Sequence, residues 1–77
     1  MFTVLVVDGD DQFLSSLREN ASTWSGVEIE TVASVREAEE FLRNNPCDTV
    51  ISEYVLPDKD GIDLLRHIRS RYGKLPF

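Results

Sequence analysis

The stretch Asp48–Gly61, DTVISEYVLPDKDG, decides the fold. The apolar pair Val50–Ile51 is followed within two residues by Glu53, then by a proline-containing turn and an Asp60–Gly61 pair that opens an amphipathic segment. This pattern predicts a buried strand whose tip presents the Glu53 carboxylate. Open α/β sheets place their sites at such strand ends, so Glu53 is the first candidate site residue.

A second acidic cluster follows the first apolar run of the chain. Thr3–Val7 is short, continuous and rich in β-branched residues, which is typical of a strand covered on both faces and therefore of a parallel sheet. Asp8, Asp10 and Asp11 come directly after it. Two strands tipped with carboxylates predict one shared acidic pocket.

The other segments complete an alternating pattern. Val27–Val32 alternates apolar and acidic residues and is predicted to be an edge strand. Ser34 and Glu37 match a capping box, and Asp60 is the predicted N-cap of a third helix that Gly73 ends. The apolar stripes assigned to the three helices are Phe13, Leu14, Leu17, Ala21 and Trp24, up to Gly26; Val35, Ala38, Phe41 and Leu42; and Leu64, Leu65, Ile68 and Tyr72.

The predicted architecture is a three-layer α/β domain with the order β-α-β-α-β-α. Right-handed crossovers give a parallel sheet with strand order 2-1-3. Thr49–Ser52, the third strand, then neighbours the first, so Asp8 and Glu53 meet at one end of the sheet. The 77 residues are expected to form one domain.

Composition excludes several functional classes. A net charge of −6 disfavours direct nucleic-acid binding and attachment to anionic membranes. Cys47 is the one cysteine, so no intramolecular disulfide can form, which fits the cytoplasm. No Cys/His spacing predicts a metal centre, and we expect no targeting segment. His67 is interpreted as a surface bystander and Trp24 as core. Half of the basic residues lie near the C-terminus, where they complement a helix dipole: Arg66, Arg69, Arg71 and Lys74.

Carboxylates clustered at a crevice are the oxygen ligands that Mg²⁺ prefers. The available ligands are Asp8, Asp10, Asp11 and Glu53. The alternative for Asp10 and Asp11 is that they cap the first helix and complement its dipole.

These residues resemble the receiver domain of two-component response regulators, which has a flavodoxin-like fold. In that family the first strand ends in Val-Asp-Asp/Glu, the third ends in the phosphate-accepting Asp, and Asp-x-x-(Leu/Met)-Pro-x-x-Asp-Gly follows. This chain has Val7-Asp8-Gly9-Asp10, then Glu53-Tyr-Val-Leu56-Pro57-Asp-Lys-Asp60-Gly61. The resemblance covers the whole chain and implies the first half to two-thirds of a receiver, with Pro57, Asp60 and Gly61 as its turn motif.

Two departures from the family pattern affect the site. Glu53 stands at the acceptor position, and its extra methylene moves the carboxylate outward by about 1.5 Å. Gly9 stands where the family has a second acidic metal ligand, which leaves Asp8, Asp10 and Glu53 as candidate ligands for weak Mg²⁺ binding. We therefore expect a degenerate receiver that acts through protein contacts, with a histidine kinase or a fused output or sensor domain as partner.

Two other functions remain open. A Mg²⁺-dependent phosphohydrolase of the aspartyl-phosphate type would need an Asp nucleophile and commonly a second Asp two residues on, where this chain has Glu53 and Val55. A nucleotide-binding module would need a glycine-rich loop or a Walker lysine, and neither pattern is present. The output and the regulated process do not follow from the sequence.

The resemblance also predicts self-association. A full receiver has five strands in the order 2-1-3-4-5, so a chain that stops at Phe77 should leave Thr49–Ser52 as an open edge. The Leu64, Leu65 and Ile68 stripe should also be partly bare. We expect a homo-oligomer that pairs these edges or exchanges the Leu75–Phe77 tail.

Overall fold

The computed structural model describes residues 1–73 and 75–77. Strands and helices alternate along the chain in the predicted order. Their bounds are β1 Phe2–Val7, α1 Asp11–Ala21, β2 Val27–Val32, α2 Val35–Asn44, β3 Thr49–Ser52 and α3 Gly61–Tyr72. None of the described helices has the length and apolar character needed to cross a membrane.

The three strands form one parallel sheet with β1 in the middle, in the order β2-β1-β3. Phe2 of β1 is paired with Val27 of β2, and Val4 is paired with Thr49 of β3. The predicted topology is therefore confirmed.

The helices cover both faces of the sheet and complete three layers. On one face, side chains of α2 and α3 bury Leu5 and Val7 of β1 together with Val50 of β3. On the other, Leu14 of α1 packs with Val4 and Val6. β1 alternates between two cores, as its continuous apolar sequence predicts.

The predicted helix starts of α2 and α3 are confirmed by their capping bonds. Ser34 Oγ accepts from the Glu37 backbone N–H at 3.1 Å, and Glu37 Oε1 accepts from the Ala33 N–H at 2.8 Å. This differs from a standard capping box in that the reciprocal bond comes from the residue before the N-cap and not from the N-cap itself. Asp60 Oδ1 accepts from the Asp63 N–H at 2.9 Å. These side chains satisfy amides that have no partner inside the helices.

Three side-chain predictions were wrong, because the apolar periodicity continues past a helix end or onto an exposed helix face. α1 ends at Ala21, so Trp24 lies in the following turn with half of its surface exposed. Phe13 and Tyr72 belong to their helices but are also exposed. The Nδ1 atom of His67 lies 3.4 Å from Oε2 of Glu39, so this side chain contacts α2 from α3. Its interpretation as a residue without a ligand or acid/base role stays a prediction.

Part of the expected open surface is covered. Leu64 and Ile68 are fully buried, so the prediction of a bare α3 stripe was wrong. The Val50 N–H donates to Pro76 O at 2.8 Å, so the C-terminal segment occupies part of the β3 edge. Arg69 Nη1 donates to Gly73 O at 3.2 Å, which confirms that a basic side chain completes the α3 C-terminus. Lys74 lies outside the described residues.

Candidate functional site

The tips of β1 and β3 leave the sheet side by side. Val7 pairs with Ser52, and the Glu53 N–H donates to Val7 O at 2.9 Å. The Asp8 N–H donates to Val32 O at 3.1 Å, on the other side of β1. Positions 8 and 53 therefore begin adjacent loops at the carboxyl end of the sheet, as the topology predicts.

The acids after β1 are bound to their own loop and helix. Asp8 Oδ1 accepts from the Asp10 N–H at 2.9 Å. Asp10 is the N-cap of α1, where its Oδ1 atom accepts from the N–H groups of Gln12 at 3.0 Å and Phe13 at 3.2 Å. The capping role considered for Asp10 is confirmed, and Asp11 supplies the negative charge in the first turn.

Glu53 also contacts backbone close to itself. Its side chain is exposed, and Oε1 accepts from the Tyr54 N–H at 3.1 Å. Tyr54 and Val55, which follow it, are exposed as well. The carboxylate at the tip of β3 is thus open to water and folded back onto its own loop.

Oxygen donors of the kind that Mg²⁺ requires are present, but they are not assembled as a preformed site. Within the described residues, no three His, Cys, Asp or Glu side chains are grouped so that they could hold one metal ion. One oxygen each of Asp8, Asp10 and Glu53 is already occupied by a backbone N–H. Their assignment as metal ligands stays a prediction.

The Asp60–Gly61 pair is explained by a close approach of two backbones. The Gly61 N–H donates to Tyr54 O at 2.7 Å, and a Cβ atom added at Gly61 would lie 2.7 Å from Glu53 O. Any larger residue would have to displace the loop that begins at Glu53. Glycine at position 61 therefore lets α3 start directly against the site loop.

Sequence reasoning missed Asp58, which joins this loop to α2. Its Oδ1 accepts from the Val35 N–H at 3.0 Å, and its Oδ2 accepts from the Arg36 N–H at 2.9 Å. The signal was an acid directly after Pro57, but its partners lie 23 and 22 residues away along the chain. Partial desolvation raises the pKa of Asp58, but the N–H donors of Arg36, Val35 and Lys59 outweigh it and lower that pKa below its ordinary value.

Gly9 lies beneath the same loop. A Cβ atom at this position would be 3.4 Å from Cδ of Pro57 and 4.0 Å from Ala33 O, both ordinary van der Waals distances. A side chain at position 9 therefore fits, although its Cβ atom would contact Pro57.

A separate cavity of about 460 Å³ lies at the opposite end of β3 from Glu53. Its lining residues are Leu42, Asn45, Pro46, Cys47, Tyr72 and Leu75. Burial raises the pKa of the Cys47 thiol, and the backbone hydrogen bond with Thr49 only partly offsets this. Cys47 is therefore held as a thiol that contacts backbone carbonyls, which is not the form a nucleophile needs.

The chain forms a three-layer α/β domain whose parallel sheet has the order β2-β1-β3. Acids lie at two adjacent strand tips, and a Pro-x-x-Asp-Gly turn follows the second. Together these features define a domain of the receiver class. The chain belongs to the response regulator receiver domain family, whose sequence profile matches residues 4–77. The chain is accordingly a receiver domain of the two-component signalling type. The family resemblance that its sequence motifs indicate is confirmed. Receiver domains of this kind are generally signal receivers and not enzymes.

Individual relatives agree with this assignment. The chain is 34% identical over 74 residues to response regulator MprA of Mycobacterium sp. (strain KMS), covering 96% of this chain and 32% of that protein. It is 36% identical over 72 residues to the two-component response regulator EHD1 of Oryza sativa subsp. indica, covering 91% of this chain and 21% of that protein. The chain thus spans a third or less of the length of these two relatives.

A solved structure gives the same fold. The non-phosphorylated HemR receiver domain of Leptospira biflexa superimposes with a TM-score of 0.88 at 30% identity. The match covers all of this chain and 61% of the HemR chain.

Proposed function

We propose that this chain is a pseudo-receiver: a receiver whose acceptor position has lost the capacity for phosphorylation and whose signal passes through protein contacts. The observation that carries the proposal is Glu53 at the tip of β3, the position where the family pattern has its acceptor Asp. Residues 1–77 are proposed to act as one domain unit, corresponding to the part of HemR that they match.

The geometry of Glu53 supports a loss of acceptance. Its carboxylate reaches about 1.5 Å further than that of an Asp. Phosphoryl transfer depends mainly on positioning and electrostatic stabilisation, so a displacement of this size is costly. The hydrogen bond from the Tyr54 N–H also holds Oε1 against the loop, so one of the two carboxylate oxygens is already engaged.

Metal binding is proposed to be weak for a related reason. Receiver domains typically bind Mg²⁺ at the phosphorylation site. Here Asp8, Asp10 and Glu53 are the carboxylates that would hold the ion, and position 9 supplies none. The metal, when bound, would neutralise negative charge beside the acceptor position. Rotating Asp10 toward it would cost the N-cap of α1.

A fixed carboxylate at position 53 partly imitates a phosphorylated acceptor, although phosphate carries more charge and more acceptor oxygens. Partners would then recognise one constant state of the domain. Response regulator receivers interact with histidine kinases, so a kinase or a fused sensor or output domain is the proposed partner, in the cytoplasm. The charge of −6 supports a protein partner over nucleic acid or a membrane surface.

The chain by itself is also proposed to self-associate along β3. Ile51 lies on the sheet face of Val6, with 58% of its surface exposed. An apolar side chain beside a strand edge is a common basis for pairing. Pro76 occupies only part of that edge, and a second copy would cover Ile51.

To test whether the domain responds to phosphorylation, backbone amide NMR spectra are recorded with and without a small phosphodonor plus Mg²⁺. The proposal predicts no second set of resonances for residues 8–10 and 53–61. Glu53→Gln is the matched control, because it keeps length and removes charge. A phosphodonor-dependent second state in the unmodified chain that is absent in Glu53→Gln would contradict the proposal.

A further inference from the structure

The β3–α3 loop and the first turn of α2 share a two-pronged hydrogen bond. Both Asp58 carboxylate oxygens accept α2 amides, from Val35 at 3.0 Å and from Arg36 at 2.9 Å. The Asp58 Oδ1 atom also accepts from the Lys59 N–H at 2.9 Å, which fixes the carboxylate relative to its own loop. A side chain on the surface thus joins two elements distant in sequence.

The bonds complete the N-terminus of α2. The first amides of any helix have no partner within the helix. Ser34, the N-cap, accepts from the Glu37 N–H through Oγ and from the Ala38 N–H through its carbonyl. Two of the other unpartnered amides, those of Val35 and Arg36, donate to Asp58.

The loop that carries Asp58 also carries the site. Leu56, two residues earlier, is buried in the core shared by α2 and α3. Pro57 lies against Gly9 of the β1–α1 loop, at the van der Waals distance of an added Cβ. Gly61, three residues later, lies against Glu53 O. The position of Asp58 is therefore linked to both acidic strand tips.

We propose that Asp58 is a positioning residue, a clamp that holds the Glu53–Asp60 loop on the N-terminus of α2 and so makes the acidic tips and the α2 surface move as one unit. The clamp does not depend on whether Glu53 accepts phosphate. A partner that contacts the start of α2 would shift the loop around Glu53, and a change at the acidic tips would reach α2 by the same two bonds.

The test is amide hydrogen exchange and chemical shifts of the full chain with Asp58→Ala. We expect exchange of the Val35 and Arg36 amides to accelerate about tenfold, because hydrogen bonds to a charged acceptor are lost. Chemical shifts should change at Gly9 and across residues 53–57, while the β1 amides keep their protection. Asp58→Asn keeps one acceptor oxygen and should give an intermediate result.

Asp63→Ala is the matched control, because Asp63 is an exposed acid in the first turn of α3. It should leave Val35, Arg36 and Gly9 unchanged. Shift changes in Asp58→Ala confined to residues 57–59 would overturn the proposal, since the loop would then hold its place without the clamp. Loss of the whole fold in both Asp58 variants would also overturn it, because Asp58 would then determine general stability and not loop position.

Discussion

Oδ1 of Asp8 lies 2.9 Å from the backbone nitrogen of Asp10 and accepts its hydrogen bond. This bond closes the short loop between β1 and α1, and Asp10 then caps the helix that follows. Asp8 and Asp10, which the sequence analysis predicts as metal ligands, therefore also stabilise this loop and the start of α1. Their roles in stability and in metal binding can be separated by substitution.

Asp10→Ala should destabilise the chain by about 1 kcal/mol, because the helix loses its N-cap. Asp10→Ser should retain most of that stability, since serine is also a good N-cap. Urea denaturation of the three proteins measures the difference. Equal stability of Asp10→Ala and the unmodified chain would contradict the capping role, and a loss of Mg²⁺ affinity in the stable Asp10→Ser would identify Asp10 as a ligand.

Gly9→Asp should strengthen Mg²⁺ binding, by about tenfold or more, because it returns a carboxylate to the loop beside Asp8. The contacts of an added Cβ with Pro57 and Ala33 are ordinary, so the variant should fold. Isothermal titration calorimetry compares it with Gly9→Asn, which has the same shape without the charge. Equal Mg²⁺ affinities of the unmodified chain and Gly9→Asp would show that side chains at position 9 stay against Pro57.

The stability contributed by Asp58 should depend on pH. Its pKa is lower in the folded chain than the ordinary value of about 3.9, because backbone N–H groups of Arg36, Val35 and Lys59 stabilise the ionised form. The contribution is therefore present above that ordinary value and is lost as pH falls through the lower folded pKa. Because Asp58 is exposed, solvent screening keeps the contribution small.

Urea denaturation of the unmodified chain and Asp58→Asn between pH 3 and 7 checks this. We expect the free energies of unfolding to differ at neutral pH and the difference to become smaller toward the acid end. A gap that widens as pH falls would mean that the sign of the pKa shift is wrong.

Ile51→Lys should abolish self-association, because it places a charge on the exposed sheet face next to the β3 edge. Sedimentation equilibrium should show an average mass that rises with concentration for the unmodified chain and stays at the monomer value for the variant. Val55→Lys is the control, since Val55 is more exposed but lies outside β3. A monomer mass for the unmodified chain at all concentrations would refute the edge argument.

Apolar patterns and topology rules are sufficient to predict the sheet, and capping residues are sufficient to predict the starts of α2 and α3. Continuous apolar runs marked β1 and β3, and capping residues such as Ser34 and Asp60 act within their own turn, so they are visible in a single sequence. Helix ends were harder, because the apolar spacing continues to Trp24 although α1 stops at Ala21. Burial at position 72 depends on what covers the helix, which spacing does not encode.

The location of the site could be predicted from the sequence, but the orientation of its carboxylates could not. Adjacent strands force positions 8 and 53 together, so the location follows from topology. The orientation of each carboxylate is decided by competition with nearby amides, such as the Tyr54 N–H that binds Glu53. Asp58 was missed because its partners lie on another helix, and tertiary hydrogen bonds of this kind leave no local pattern.

Intact-mass spectrometry tests the central claim, that a chain with Glu53 at the acceptor position and Gly9 at the second acidic position does not accept a phosphoryl group. The chain is incubated with a small phosphodonor and Mg²⁺, and Glu53→Asp and Glu53→Gln are treated in parallel. We predict no stoichiometric phosphoryl adduct on the unmodified chain, and none on Glu53→Asp while Gly9 remains. A stoichiometric adduct on the unmodified chain that disappears in Glu53→Gln would contradict the claim.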